Sequence, residues 1–160
     1  MIVKHTLEPV FDENSKVLIL GSLPSVKSRG EGFYYAHKQN RFWKIMERLF
    51  DVSLGSIEEK RKFLLENKIA LYDVIESCEI IGSSDSSIKN VIPTDLDKII
   101  KQTKISCIFI NGKKAYELYN KYQFPILKIE ATLLPSTSAA NASYSLDKLV
   151  DMYQIVKDKL

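Results

Sequence analysis

The alternation of short apolar runs with segments of helical periodicity constrains this chain more than any other feature. Val17-Leu18-Ile19-Leu20 is uniformly apolar and ends at Gly21, Ser22 and Pro24, as a strand buried on both faces does where it meets a loop. From Arg41 the apolar residues Phe42, Ile45, Met46, Leu49 and Phe50 recur at helical spacing, behind Asn40, a residue type that caps helices. Ser56 with Glu59 is a capping box that opens a second helix, burying Phe63 and Leu64 and stopping at Asn67. Ile69 to Ile75 predicts the second strand, and the Ser/Gly/Asp-rich CEIIGSSDSSIKN that follows predicts a long loop. Thr94 with Asp97 starts a short helix through Ile99 and Ile100. Ile105 to Ile110 is a third strand, and Asn111-Gly112 turns into a helix with Ala115, Leu118 and Tyr119. A fourth strand is expected at Ile126 to Ile129. After a loop from Leu134 to Asn141, the last helix sets Leu146, Leu149, Val150, Tyr153, Val156 and Leu160 on one stripe.

This order predicts βαβ units and an α/β fold, with three α/β/α layers around a small, mostly parallel four-stranded sheet. No repeat, low-complexity tract or linker divides residues 1–160, so one domain is expected. Ligands of such sheets bind beyond the carboxyl ends of the strands. The loops after Leu20, after Ile75 and after the fourth strand should therefore converge on one site.

Composition narrows the possibilities. A chain of 160 residues, 45% hydrophobic and 27% charged, buries roughly 70% of its unfolded surface and needs no metal or disulfide to fold. Cys78 and Cys107 form no CxxC pair. With His5 and His37 the only histidines, a zinc site would draw every soft ligand from four distant places, so no metal site is expected. Two reduced thiols fit a cytosol-like compartment. No apolar stretch reaches membrane-helix length, and Glu8, Pro9 and Asp12 fall where a signal peptide keeps its apolar core, so a cytoplasmic protein with no membrane partner is expected. The net charge of +3 permits a polyanionic partner without demanding one.

The segment GSLPSVKSRGEGFYYAHKQN reads as a twenty-residue loop between a buried strand and a capped helix, and loops that long are usually functional. Gly21, Gly30 and Gly32 allow close backbone approach, Lys27, Arg29 and Lys38 carry charge, and Phe33, Tyr34 and Tyr35 offer flat faces for a base. Each residue alone fits core packing or a solvated surface; together on one loop they lean toward nucleobase or phosphate contact. GxxxxGK[ST] is missing and Gly30-Glu31-Gly32 lacks the third glycine of a dinucleotide fingerprint, which disfavours ATP and NAD. No serine sits in a GxSxG elbow, which disfavours a Ser-His-Asp hydrolase built on His37 and Asp73 or Asp85.

GSLPS closing the first strand, then FYYAHKQNRFWKIM, then LPSTSAANA late in the chain together resemble the uracil-DNA glycosylase superfamily, most of all its hypoxanthine-DNA (deoxyinosine) glycosylase branch. AHKQNRFWK is also similar to the mismatch-specific uracil/thymine glycosylases. The resemblance runs from Lys16 to the final helix and includes INGKKA and the GSSDSSI loop. It implies a uracil-DNA glycosylase-like fold and a monofunctional hydrolase of N-glycosidic bonds in DNA repair. Such an enzyme flips its base, uses no cofactor, acts as a monomer and, in a bacterium, works at the nucleoid.

Carried over, the resemblance makes Asn40 catalytic, orienting the attacking water and stabilising the transition state near the sugar. Tyr35, or else Phe33 and Tyr34, stacks on the extruded base; backbone amides of Gly21 and Ser22 meet its polar edge; Leu23 and Asp85 line the pocket. Ser136, Thr137 and Ser138, with Ala139 and Asn141, hold DNA phosphates, joined by Lys27 and Lys113; an ST-turn, an ordinary turn aspartate and solvated lysines are the plainer alternatives. The chain departs from the family at four points. Leu23 stands where the mismatch-specific branch has a catalytic asparagine, Ser25 where glycine is common, Leu134 where classical uracil glycosylases have histidine, and Ala139 where relatives often have proline. These departures point to hypoxanthine as the main substrate, with xanthine or uracil minor. Leu23 argues against the mismatch-specific uracil/thymine glycosylases, which stay an alternative on the similarity of AHKQNRFWK, beside a noncatalytic nucleic-acid-binding domain and an enzyme of free nucleosides.

Overall fold

A computed structural model describes residues 1–82 and 84–160; Ser83, in the GSSDSSI loop, lies outside the described residues. Strand β1 (Ile2–Lys4) precedes the apolar strand β2 (Val17–Gly21), every residue of which is buried. The expected twenty-residue loop is interrupted by helix α1 (Val26–Glu31), whose N-terminus is capped by Ser25 Oγ accepting from Ser28 N–H. Helices α2 (Phe42–Phe50) and α3 (Ile57–Glu66) follow, the latter capped by Ser56 as its capping box predicts. Next come β3 (Ile69–Asp73), β4 (Ile75–Glu79), a 3-10 turn at Asp85–Ser87 and β5 (Lys89–Pro93). Helix α4 (Leu96–Lys101), β6 (Cys107–Asn111) and α5 (Lys113–Leu118) lead through a π-helical turn at Tyr119–Gln123 into α6 (Phe124–Leu127). The chain closes with β7 (Ala131–Leu134) and α7 (Leu146–Asp158).

The central sheet has the order β3-β2-β6-β7 and is parallel throughout. Side chains alternate across β2. Val17 and Ile19 join Phe42, Ile45, Met46, Leu64, Leu149 and Tyr153 on one face, and Leu18 and Leu20 join Leu96, Ile99, Ala115 and Tyr119 on the other. Helices on both faces make the expected three-layer α/β/α architecture.

Two expectations fail. The strand expected at Ile126 to Ile129 is the end of a helix, because Pro125 sits in the first turn of α6, where its missing N–H costs nothing, and Lys128 ends it in the left-handed region at φ 59°. The fourth strand is β7, which makes Leu134 its last residue rather than the first of a loop. The second failure is that Ile69 to Ile75 is not one strand. The chain breaks at Val74, whose N–H bonds Gly21 O, and β4 enters a separate antiparallel sheet of order β1-β4-β5. Only the two ends of the expected Ser/Gly loop, Cys78-Glu79 and Lys89-Asn90, are β-structure; between them the chain carries the 3-10 turn with Asp85.

Candidate active site

Pairing of β2 with β3 sets Gly21 beside Asp73, and pairing of β6 with β7 sets Asn111 beside Leu134, so the carboxyl ends of all four strands share one edge. The chain leaves β2 toward β3 on one side while β6 packs on the other, which makes the crevice between Gly21 and Asn111 the topological switch point.

Asn40 stands over this crevice. Arg41 occupies the formal cap of α2, but it is the Asn40 side chain that performs the capping, with Oδ1 accepting from Phe42 N–H at 3.0 Å. The same oxygen accepts from the Thr137 hydroxyl at 2.8 Å. Thr137 in turn accepts at Oγ1 from Asn111 Nδ2 (3.0 Å) and donates its N–H to Asn111 Oδ1 (3.0 Å). Both acceptor directions of Asn40 Oδ1 are thus spent on protein, the amide cannot flip, and its Nδ2 donors meet no acceptor among the described residues.

Arg41 ties the second motif loop to the first. Its guanidinium donates to Ser138 O (2.8 Å), Asn141 O (3.0 Å), Thr137 O (3.4 Å) and Tyr144 O, while its own N–H bonds Thr137 O at 2.9 Å. Five donor contacts on carbonyls of residues 137–144 fix the loop's path. Tyr153 adds a sixth anchor from α7, its hydroxyl donating to Pro135 O at 2.7 Å. Gly112, at φ 101°, brings the start of α5 under the loop, where a Cβ would stand 3.4 Å from that of Ser136.

The three aromatics of the first loop divide. Phe33 and Tyr34 are core residues: Phe33 stacks on Trp43 with centroids 5.8 Å apart, and the Tyr34 hydroxyl donates to Glu8 O at 2.8 Å. Neither has a face for a base, which corrects that expectation; burial was the stronger demand on such large apolar rings. Tyr35 alone turns toward the site, at φ 53°, with its ring stacked on Phe42 at 4.2 Å. Burial and then the Asp73 carboxylate push its phenol well above the ordinary range, against a smaller opposing effect of Asn111.

The other expected residues scatter around this centre. Ser22 O accepts from Ile75 N–H at 3.0 Å, and Leu23 is half-buried against the cluster on the Leu18 and Leu20 face of the central sheet. Asp85, in the turn between β4 and β5, lies near Lys114 of α5; burial raises its carboxyl and Lys114 opposes this. Thr137 is buried with its hydroxyl spent between Asn111 and Asn40, so it builds the site rather than touching a phosphate, a second correction. Ser136 and Ser138 accept N–H bonds inside the loop (3.2 Å each), Ala139 is exposed, and Asn141 Nδ2 holds Ser136 O at 3.0 Å. Lys113 is exposed at the start of α5, and Lys27 pairs with Glu31 at 2.9 Å across one turn of α1. Asn111 and Arg41 were not singled out from sequence. Their partners lie 26 and about 100 residues away, and only the adjacency of Arg41 to Asn40 hinted at a role.

No helix among the described residues is long and apolar enough to cross a membrane. A family profile described as the uracil DNA glycosylase superfamily matches residues 8–158. A protein of Methanosarcina acetivorans named hypoxanthine DNA glycosylase is 35% identical over 153 residues, covering 92% of this chain and 94% of that one. One of the same name from Methanosarcina barkeri is 35% identical over 145 residues, covering 86% and 88%. The solution NMR structure of a Methanosarcina acetivorans protein assigned to the uracil DNA glycosylases aligns over 98% of this chain and 99% of its own, with TM-score 0.80 and 32% identity. In fold, motifs and likeness along nearly its whole length, this chain belongs to the uracil-DNA glycosylase superfamily.

Proposed function

We propose that the protein excises deaminated bases from DNA, hypoxanthine foremost, by hydrolysing the N-glycosidic bond. The observation that carries this reading is the fixed amide of Asn40 over the crevice, with its oxygen held by Phe42 N–H and Thr137 Oγ1 and its Nδ2 unspent. The names of the two Methanosarcina relatives support hypoxanthine as the base. Leu23 and Leu134 support it from the other side, since neither can supply the polar group with which other branches of the superfamily are equipped at those positions.

Breaking the bond between C1′ and a purine nitrogen puts positive charge on the sugar and negative charge on the departing base. A polar group placed in advance stabilises that charge without reorganising at the moment of reaction. Asn40 is such a group: with its oxygen held by Phe42 N–H and the Thr137 hydroxyl, its free Nδ2 donors suit the negative charge of the departing base. A base inside a duplex is out of reach, so the nucleotide is extruded at a cost of a few kcal/mol, least for a poorly paired base, and stacks on Tyr35. The hydroxyls of Ser136 and Ser138, with Lys113, hold the flanking phosphates.

The test is an incubation in EDTA of oligonucleotides carrying a single hypoxanthine, xanthine, uracil or mismatched thymine, followed by alkaline cleavage of abasic sites. Hypoxanthine DNA is cut most, and borohydride traps no covalent adduct. Cleavage of uracil DNA alone would move the protein to another branch, and DNA binding without any abasic product would make it a noncatalytic binder.

A further inference from the structure

Thr94 and Gln123 are buried polar residues, 4% and 2% exposed, for which the reaction above has no use. Gln123 is the last residue of the π-helical turn, where Phe124 N–H reaches back five residues to Tyr119 O. Such turns are rare and concentrate at functional sites. A methionine at position 123 would fill the same space without the cost of burying an amide, so the amide is there for what it bonds. Its Nε2 donates to Thr94 O at 2.9 Å and lies 3.4 Å from both Val74 O and Thr94 Oγ1. Thr94 stands just before α4, whose cap is the Asp95 side chain, so the threonine hydroxyl is free of that duty and donates instead to Asp73 O at 2.7 Å. Thr94 N–H donates to Val74 O at 3.1 Å.

These bonds converge on the corner between β3 and β4, where two successive peptide groups each face two ways. In the Asp73–Val74 peptide the carbonyl takes the Thr94 hydroxyl, and the N–H donates to Gly21 O at 2.9 Å. In the Val74–Ile75 peptide the carbonyl takes Thr94 N–H and Gln123 Nε2, and the N–H donates to Ser22 O at 3.0 Å. Both peptides are trans. A trans peptide is a rigid plane whose carbonyl and N–H point opposite ways and cannot turn independently. A tilt imposed on the Thr94 side of either plane is therefore passed to the carbonyls of Gly21 and Ser22. The Asp73 side chain stands outside this bracket, its Oδ2 taken by His5 Nε2 at 2.7 Å.

Gly21 and Ser22 are where the chain leaves β2, on one wall of the crevice at the switch point. That wall is close-fitting, since a Cβ on Gly21 would stand 3.2 Å from the Tyr35 hydroxyl, and a small shift of its backbone changes the room left to a base. We propose that Thr94 and Gln123 are positioning residues for base excision, acting through the two peptide planes of the β3–β4 corner to set the Gly21–Ser22 wall against which the extruded nucleotide reacts. This rests on the reading of the protein as a base-excising enzyme. Both residues are buried out of reach of a DNA strand, so they govern the rate of bond breaking and not the affinity for the strand.

The experiment measures single-turnover excision of deoxyinosine from DNA at saturating protein, and affinity for DNA with a stable abasic analogue. Wild type is compared with Thr94→Val, Thr94→Ser, Gln123→Met and the Thr94→Val/Gln123→Met double variant, at a temperature where circular dichroism shows each to be folded. Valine and methionine keep the shape and remove the donor. Each lowers the excision rate about tenfold, as a sub-ångström misplacement at a reacting centre does, while affinity stays within about threefold. Thr94→Ser recovers most of the loss, and the double variant loses little more than either single one, because both act on one bracket. Hydrogen exchange at the Val74 and Ile75 amides rises in the valine and methionine variants. Val156→Ala, a truncation inside α7, loses comparable stability and keeps the wild-type rate, the behaviour that a merely structural role would give to every variant. Folded Thr94→Val and Gln123→Met that excise at the wild-type rate overturn the proposal, as does a rate that falls only in step with DNA affinity. Should neither fold, Gln123→His, which keeps an N–H donor but shifts its reach, decides by the same two measurements. A wild type that excises no base overturns the excision reading itself, an outcome distinct from active wild type with unaffected variants.

Discussion

The Oδ1 of Asn40 and the hydroxyl of Thr137 meet at 2.8 Å across 97 residues of chain, so the first and second motif loops share a hydrogen bond at the centre of the site. Asn40→Asp keeps an oxygen for Phe42 N–H and Thr137 but exchanges the free amide donors for a carboxylate. Excision should fall at least about 100-fold, the usual cost of removing one oriented group from a transition state. Thermal unfolding followed by circular dichroism should shift little. Loss of activity together with a large loss of stability would make Asn40 a structural cap.

Thr137→Val tests the same link from its other end. Valine matches threonine in shape but leaves Asn111 Nδ2 and one acceptor direction of Asn40 unpaired inside the protein. Urea unfolding should show a loss of about 1–3 kcal/mol, the desolvation cost of orphaned polar groups, and Thr137→Ser should lose clearly less. Excision by Thr137→Val should drop because the Asn40 amide becomes free to rotate. A valine variant as active as wild type would show that its orientation is set by Phe42 N–H alone.

Gly21 has no Cβ because the space is taken. An alanine there would place a carbon 2.7 Å from Asp73 Oδ1 and 3.2 Å from the Tyr35 hydroxyl, and the anchored carboxylate cannot retreat without breaking its bond to His5. Gly21→Ala should destabilise by about 1–3 kcal/mol, as overpacking does, and slow excision more than Gly30→Ala, where a Cβ meets nothing within 4 Å. Equal behaviour of the two variants in urea and in the excision assay would refute this account.

These relationships explain what could be read from the sequence. The strands of the parallel sheet announced themselves where both faces are buried, as in Val17-Leu18-Ile19-Leu20, because such a strand has no polar positions to blur its limits. The small antiparallel sheet did not: β5 has no fully buried residue, β1 has only three residues, and β4 continues β3 with one residue between them. Ile126 to Ile129 misled because four residues carry too little periodicity to separate strand from helix, and the proline that decides the matter lies just before them. Motif spacing led to the superfamily and placed Asn40 at a helix start. Asn111, Arg41 and the His5–Asp73 pair were illegible because each acts through partners 26 to 103 residues away, a relation that only the folded chain defines.

Buried phenols make stability fall in alkali. Burial raises Tyr72 and Tyr119 to about 12, and lifts Tyr34, Tyr35 and Tyr153 further. Above pH 10 the unfolded chain releases tyrosyl protons that the folded chain retains, so the unfolded state binds fewer protons and unfolding becomes more favourable as pH rises. Stability from urea titrations should therefore decline from about pH 10 through pH 12, with the tyrosinate absorbance of these five residues appearing in step with unfolding rather than before it. Tyrosinate absorbance reaching its full value while the protein stays folded would contradict the burial of these groups.

Arg41 offers the sharpest test of how the second loop is held. Lysine keeps the charge but replaces a planar fork by a single ammonium, which cannot reach Thr137 O, Ser138 O, Asn141 O and Tyr144 O together. The segment from Ser138 to Tyr144 should then lose its fixed path, while Thr137, still held by Asn111 at its hydroxyl and N–H and by the backbone N–H of residue 41 at its carbonyl, keeps Asn40 in place. Arg41→Lys should raise KM for lesion DNA about tenfold and lower kcat far less, because the loop contributes to holding the strand and Asn40 to breaking the bond. Hydrogen exchange should rise across residues 138–144 and stay unchanged at Thr137, in β2 and in β6. A variant with unaltered KM and a collapsed kcat would assign Arg41 to the chemical step and remove the clamp from the account of DNA binding.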